Sequence, residues 1–198
     1  MLQEIDREIA QLLTTIEEHQ AKIAILYNRY REAIGKAVAK QLIQGSYLIC
    51  TREYPQAFLL LSIGQRQDLQ GNLQNLARDS AAEVTEKLAQ LPTAELLNSE
   101  PLDKLLQELL DRACERINQL LIEWEIIPAD PPKQMRLRAV EVEYIDREVR
   151  SLRSEIRVLG GRCQHLQSQL VKKQQARQIA EAEQAWHLTW VSQGDFLP

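Results

Sequence analysis

The chain has 198 residues, of which 44% are hydrophobic, 26% charged and 5% aromatic, with only seven Gly and seven Pro. That composition suits a soluble all-α protein and leaves too few turn formers for a β-sandwich or barrel. The net charge of −4 also lacks the basic footprint of a nucleic-acid binder, because residues 45–134 carry fourteen acids against eight bases.

Residues 1–44 read as a coiled-coil arm. Leu2, Ile5, Ile9, Leu12, Ile16, His19, Ile23, Leu26 and Tyr30 alternate three and four residues apart, and Ala33 and Ala37 continue the series. Apolar a and d positions held over so many heptads are the coiled-coil signature. The acidic, amphipathic opening MLQEIDREIAQLL is unlike a targeting segment.

Residues 45–132 lose the period and read as a helical head. The apolar run 47–50 suits either an extended link or the end of the first helix. Pro55 fits the first turn of a new helix carrying Phe58, Leu61, Leu69, Leu73, Leu76, Val84 and Leu88. Gly64 and Gly71 predict a kink or break in it, since each weakens a helix by about 1 kcal/mol relative to Ala. Ser99, with Pro101 just inside, predicts the start of a helix whose face is Leu102, Leu106, Leu109, Ala113, Ile117, Leu120 and Trp124. The Pro-rich stretch 126–133 reads as a stiff hinge.

Residues 133–174 read as a second arm. Val142, Ile145, Val149, Leu152, Ile156, Leu159, Cys163, Leu166 and Leu170 repeat the heptad, with Met135 one heptad before Val142. The expected fold is therefore all-α: a long antiparallel coiled-coil hairpin of the N- and C-terminal helices, with a small helical head inserted between them. Charges at g positions favour antiparallel pairing, because Lys22, Arg29 and Lys36 would meet Glu155, Glu148 and Glu141. Such exposed pairs are worth only about 0.3–0.5 kcal/mol each, so they select register while core burial supplies most of the stability. The expected alignment sets Leu2 against Lys173, Ile9 against Leu166, Tyr30 against Ile145 and Leu13 against Gly160. The same pairing exchanged between two chains would give a homodimer.

Residues 175–198 would then overhang as a tail. Ile179, Ala182, Trp186 and Trp190 share a helix face, and Phe196 follows. Ile179, Trp186, Trp190 and Phe196 are the expected partner-binding residues, since aromatic anchors dominate interface energetics. Folding back on the head, or pairing with another tail, would bury the same groups.

No catalytic pattern emerges. GxGxxG, Walker, HExxH and GxSxG motifs are absent. Cys50, Cys114 and Cys163 form no CxxC, and Cys163–His165 splits between a core and an outward position, so reduced thiols in a cytoplasmic protein are expected, with no metal or cofactor. His19 at a d position reads as a register-setting polar residue. The longest apolar run, residues 57–61, is far short of the roughly 20 residues that cross a bilayer. The function these readings imply is a non-catalytic adaptor, scaffold or assembly chaperone that holds protein partners through head and tail. A stalk or shaft subunit is the alternative, and a nucleic-acid-binding coiled coil the third.

Overall fold

The computed structural model describes residues 2–91 and 99–193. Regular structure among them is entirely helical. The helices are α1 (Leu2–Leu48), α2 (Pro55–Leu60), α3 (Ile63–Ala89), α4 (Ser99–Glu123), α5 (Ala139–Ile145) and α6 (Arg147–Gln193), with a π turn at Ile49–Glu53 closing α1. The chain forms two compact units. The first joins residues 1–25 with 157–198, and the second comprises residues 26–156. The 47-residue helices α1 and α6 contribute to both.

In the first unit the N- and C-terminal helices pair antiparallel, as expected. Residues 2, 5, 9, 12, 16, 19 and 23 of α1 are buried or half-buried while most of their neighbours are exposed. The register differs from the expected one. Lys173 pairs with Glu8, and Arg177 Nε donates to Asp6 Oδ1 at 2.6 Å, which displaces the strands by about one heptad. A slip of one heptad still sets a positions of one helix against d positions of the other, so the heptad pattern alone does not fix the register. Leu13, expected against Gly160, is exposed.

In the second unit α1 changes character. Tyr27, Tyr30, Ala33, Ile34, Ala37, Val38 and Leu42 are all buried, a face far wider than an a/d seam. It is this wide because α3 covers α1 as well. Tyr27 Oη donates to the Leu88 carbonyl at 3.1 Å and Thr85 Oγ1 to the Arg31 carbonyl at 3.3 Å, so α1 and α3 run antiparallel. Leu102, Leu106, Leu110, Ile117 and Leu121 of α4, fully buried, complete the core. Gly35 marks the closest approach: a Cβ there would collide with the Thr85 hydroxyl and lie 3.2 Å from the Ala81 carbonyl.

Three local features depart from the sequence reading. The break expected at Gly64 or Gly71 falls at Ser62 instead. Ser62 caps α3 through a reciprocal capping box: Gln65 N–H donates to Ser62 Oγ at 3.3 Å and Ser62 N–H to Gln65 Oε1 at 2.9 Å. The second arm is not one helix. Asp146 is extended and accepts the N–H groups of Glu148 and Val149 at 3.0 and 3.1 Å, so it ends α5 and caps α6. Ile145, expected to face Tyr30, is consequently 67% exposed, while Val142 and Val149 stay buried.

Met135, expected one heptad before Val142, lies in an extended strap. Residues 133–138 carry no helix, yet the Met135 side chain is buried beside Gly45. Side chains spaced three turns apart on α4 hold the strap by its backbone. Asn118 Oδ1 accepts the Met135 N–H at 2.8 Å while its amide nitrogen donates to the Met135 carbonyl at 3.1 Å. Gln107 does the same for the Ala139 N–H and the Leu137 carbonyl, at 2.9 and 3.1 Å. The run 47–50 is the end of α1 entering the π turn, closed by Tyr54 N–H to the Ile49 carbonyl at 2.9 Å.

Candidate interaction surfaces

Several exposed apolar groups of the second unit follow the end of α1 in sequence. Leu59, Leu60 and Ile63 are 64%, 87% and 75% exposed, and Tyr47 and Leu48 are exposed as well. Of these, Tyr47 lines a cavity of about 250 Å³ together with Ile43, Cys50, Phe58, Leu69 and Leu73, and Phe58 precedes Leu59 in α2. Isolated surface leucines need no explanation, but a cluster around an apolar recess marks an interaction site.

Its backbone is firmly held. Arg66 donates from Nε to the Phe58 carbonyl at 3.1 Å and from Nη2 to the Leu59 carbonyl at 2.7 Å, with its guanidinium 5.5 Å from the Phe58 ring centre. Those bonds satisfy carbonyls that the short helix α2 would leave orphaned. The capping box fixes the other side of the corner, and Tyr54 Oη donates to the Lys133 carbonyl at 3.0 Å. The result is a preorganised display of three aliphatic side chains.

A second surface lies along α1 and α3. Gly35, Ala39, Ala81 and Ala82 form the floor of a groove, with Lys36 and Arg78 on its walls, and Ile43 and Gln74 join it to the first cavity. A third recess, of about 590 Å³, lies between α4 and the strap and is lined by Asp111, Cys114, Glu115, Arg136 and Arg138.

The thiols offer little nucleophilic chemistry. Burial pushes Cys50 and Cys114 up to about 11 and raises Cys163. A thiol so shifted is protonated at neutral pH. Among the described residues no three of His, Cys, Asp and Glu gather as a metal ion would require. None of the helices among them is long and apolar enough to cross a membrane.

Sequence reasoning missed a polar cluster built around the buried Tyr30 and Arg153. Tyr30 Oη donates to Glu143, Arg153 Nη2 donates to Asp103 Oδ1 at 2.7 Å, and the Arg153 guanidinium lies 5.7 Å from the Tyr30 ring centre. Burial and the neighbouring Glu143 carboxylate raise the Tyr30 hydroxyl well above its ordinary value. The cluster ties α1, α4, α5 and α6 together across 123 positions of sequence, Tyr30 to Arg153, and no local pattern marks it. The only trace in the sequence is that Arg153 shares the face of Val149, Leu152 and Ile156, all buried.

Of the residues expected to set register, His19 is half-buried and donates from Nδ1 to the Thr15 carbonyl at 2.9 Å. Lys22, Arg29, Lys36, Glu141, Glu148 and Glu155 are exposed. Arg29 and Lys36 are not ion-paired with Glu148 and Glu141 among the described residues, and the contacts of Tyr30 with Arg153 and Gln41 with Val142 follow the shifted register instead. Of the expected tail anchors, Ile179 and Trp186 are 53% and 65% exposed. The Trp190 side chain and the whole of Phe196 lie outside the described residues. No known protein family, curated protein or solved structure matches this chain.

Proposed function

We propose that this chain is a non-catalytic adaptor or scaffold, of the kind that includes assembly chaperones, and that the corner between α2 and α3 engages a protein partner. The observation that carries this reading is the cluster of Leu59, Leu60 and Ile63, at 64%, 87% and 75% exposure, on a backbone fixed by Arg66 and the Ser62 capping box. Rigid aliphatic groups beside an apolar recess bind without a large ordering penalty, so a partner contributing one or two anchor side chains fits best. The protonated thiols suit a binding role rather than covalent chemistry.

The test is affinity capture with the full chain against the variant Leu60→Asp/Ile63→Asp. Both positions are exposed, so the variant keeps its helicity, and circular dichroism checks this. The reading expects specific partners to be lost from the variant. Identical partner sets for the two proteins would refute it.

A further inference from the structure

We infer that the free edge of the strap pairs with an extended acidic peptide of a partner protein. This surface is separate from the corner between α2 and α3, and neither depends on the other. Along an extended chain the backbone N–H and C=O groups of successive residues point to opposite edges. The odd-numbered residues of the strap are held from α4. Asn118 bonds both backbone groups of Met135, and Gln107 bonds the Leu137 carbonyl and the Ala139 N–H.

The even-numbered residues are not held. Among the described residues the N–H and C=O groups of Gln134 and Arg136 and the N–H of Arg138 form no hydrogen bond. The Arg138 carbonyl alone is taken, by the first turn of α5. Because the odd groups face α4, the even ones face away from it, and Gln134, Arg136 and Arg138 are all exposed. Side-chain amides thus stand in for one neighbouring strand, and the opposite edge is open to another.

The two faces of the strap set the chemistry of the occupant. The Met135 side chain is buried beside Gly45 of α1, so Gln134, Arg136 and Arg138 project on the outer face. A recess of about 400 Å³ lies between the strap and the end of α1, where Leu48 and Ile49 line it. None of the described residues of α4 lines it, so it borders the free edge. Glu53, also in its lining, is neutralised by Lys133, whereas Arg136 and Arg138 have no ion-pair partner among the described residues.

A strand laid on this edge directs alternate side chains outward, level with Arg136 and Arg138, and the others toward the recess. Acidic residues suit the first positions and aliphatic ones the second. A second copy of the strap fits less well. In the antiparallel register centred on Arg136 that residue faces itself, and like charges directly opposite are destabilising.

Fluorescence anisotropy with the full chain and the labelled peptide EVEVEVE tests this. Saturable binding is expected, with KVKVKVK bound about tenfold more weakly. The variant Arg136→Glu/Arg138→Glu, changed at two exposed positions, should keep its helicity, bind EVEVEVE about tenfold more weakly and prefer KVKVKVK. Backbone pairing has its own signature. Methylating the backbone nitrogens of one alternate set of residues in EVEVEVE should abolish binding, and methylating the other set should leave it within about threefold, because only one set faces the strap. Leu60→Asp/Ile63→Asp should bind the peptide as wild type does, and a loss there would assign the peptide to the corner instead. No binding up to about 1 mM, equal losses from the two methylated peptides, or an unchanged preference in the arginine variant likewise overturns the inference.

Discussion

Asn118 grips the backbone of Met135 from both sides, accepting its N–H at 2.8 Å and donating to its carbonyl at 3.1 Å. A side-chain amide can mimic a strand partner in this way because it carries one acceptor and two donors in a plane. The strap between the hinge and α5 thereby keeps the polar groups of its α4-facing edge satisfied without belonging to a helix or a sheet. Asn118→Ala removes both bonds and leaves partly buried groups unpaired, so a loss of about 2 kcal/mol is expected. Asn118→Asp, which keeps the acceptor, should lose less. Urea midpoints at an unchanged slope would measure both.

Glu125 adopts a left-handed backbone, with φ 54°, where α4 ends. The Ile126 N–H reaches back to the Leu121 carbonyl at 2.9 Å and Ile126 itself is buried, which is the Schellman arrangement with its apolar contact. Glycine normally occupies that position because a Cβ costs about 1–2 kcal/mol there. Glu125→Gly should stabilise the protein by about 0.5–1 kcal/mol, read as a rise in thermal midpoint.

Two glycines should respond to alanine with opposite signs. Gly71 lies inside α3 with open space around it, so Gly71→Ala should add about 0.5–1 kcal/mol. Gly35 faces the Thr85 hydroxyl, so Gly35→Ala must push α1 from α3 and should cost about 1–3 kcal/mol. Chemical denaturation of the two single variants beside wild type decides the signs.

Alkaline pH should progressively destabilise the protein. Burial pushes Cys50 and Cys114 to about 11 and Tyr27 to about 12, from ordinary values of 9.0 and 10.0. Above pH 9 the unfolded chain therefore binds fewer protons than the folded one. Stability that is complete below pH 9 falls as pH rises through 11, and further towards 12 as Tyr27 ionises. Tyr27→Phe should lower stability at neutral pH by about 1 kcal/mol, through loss of its bond to Leu88, yet flatten the decline above pH 10. Urea titrations at several pH values would detect a variant curve parallel to wild type, which would contradict this account.

The legible parts of the fold were those with a local period. From Leu2 to Ile23 the spacing of Leu and Ile marks the buried positions of α1, and the long faces of α3 and α4 follow from their leucines. Illegible parts were those where one side chain overrides the period. Asp146 competes for backbone N–H groups and breaks the arm within its heptads, and Ser62, rather than either nearby glycine, separates α2 from α3. The corner of Leu59, Leu60 and Ile63 was hidden for a related reason. An apolar run reads as core until the turn that exposes it is known.

The sequence alone determined that this chain is helical and that both of its ends carry heptad seams, because apolar periodicity is a property of neighbours along a helix. Tertiary structure decided the register of that pairing. A slip of one heptad preserves the a-against-d pattern, and contacts such as Glu8–Lys173 and Asp6–Arg177 distinguish the alternatives. It also decided that Met135 belongs to a strap held by Asn118, and that Tyr30, Glu143, Arg153 and Asp103 meet in one polar cluster. Those partners lie far apart in the chain, so no local pattern could have specified them.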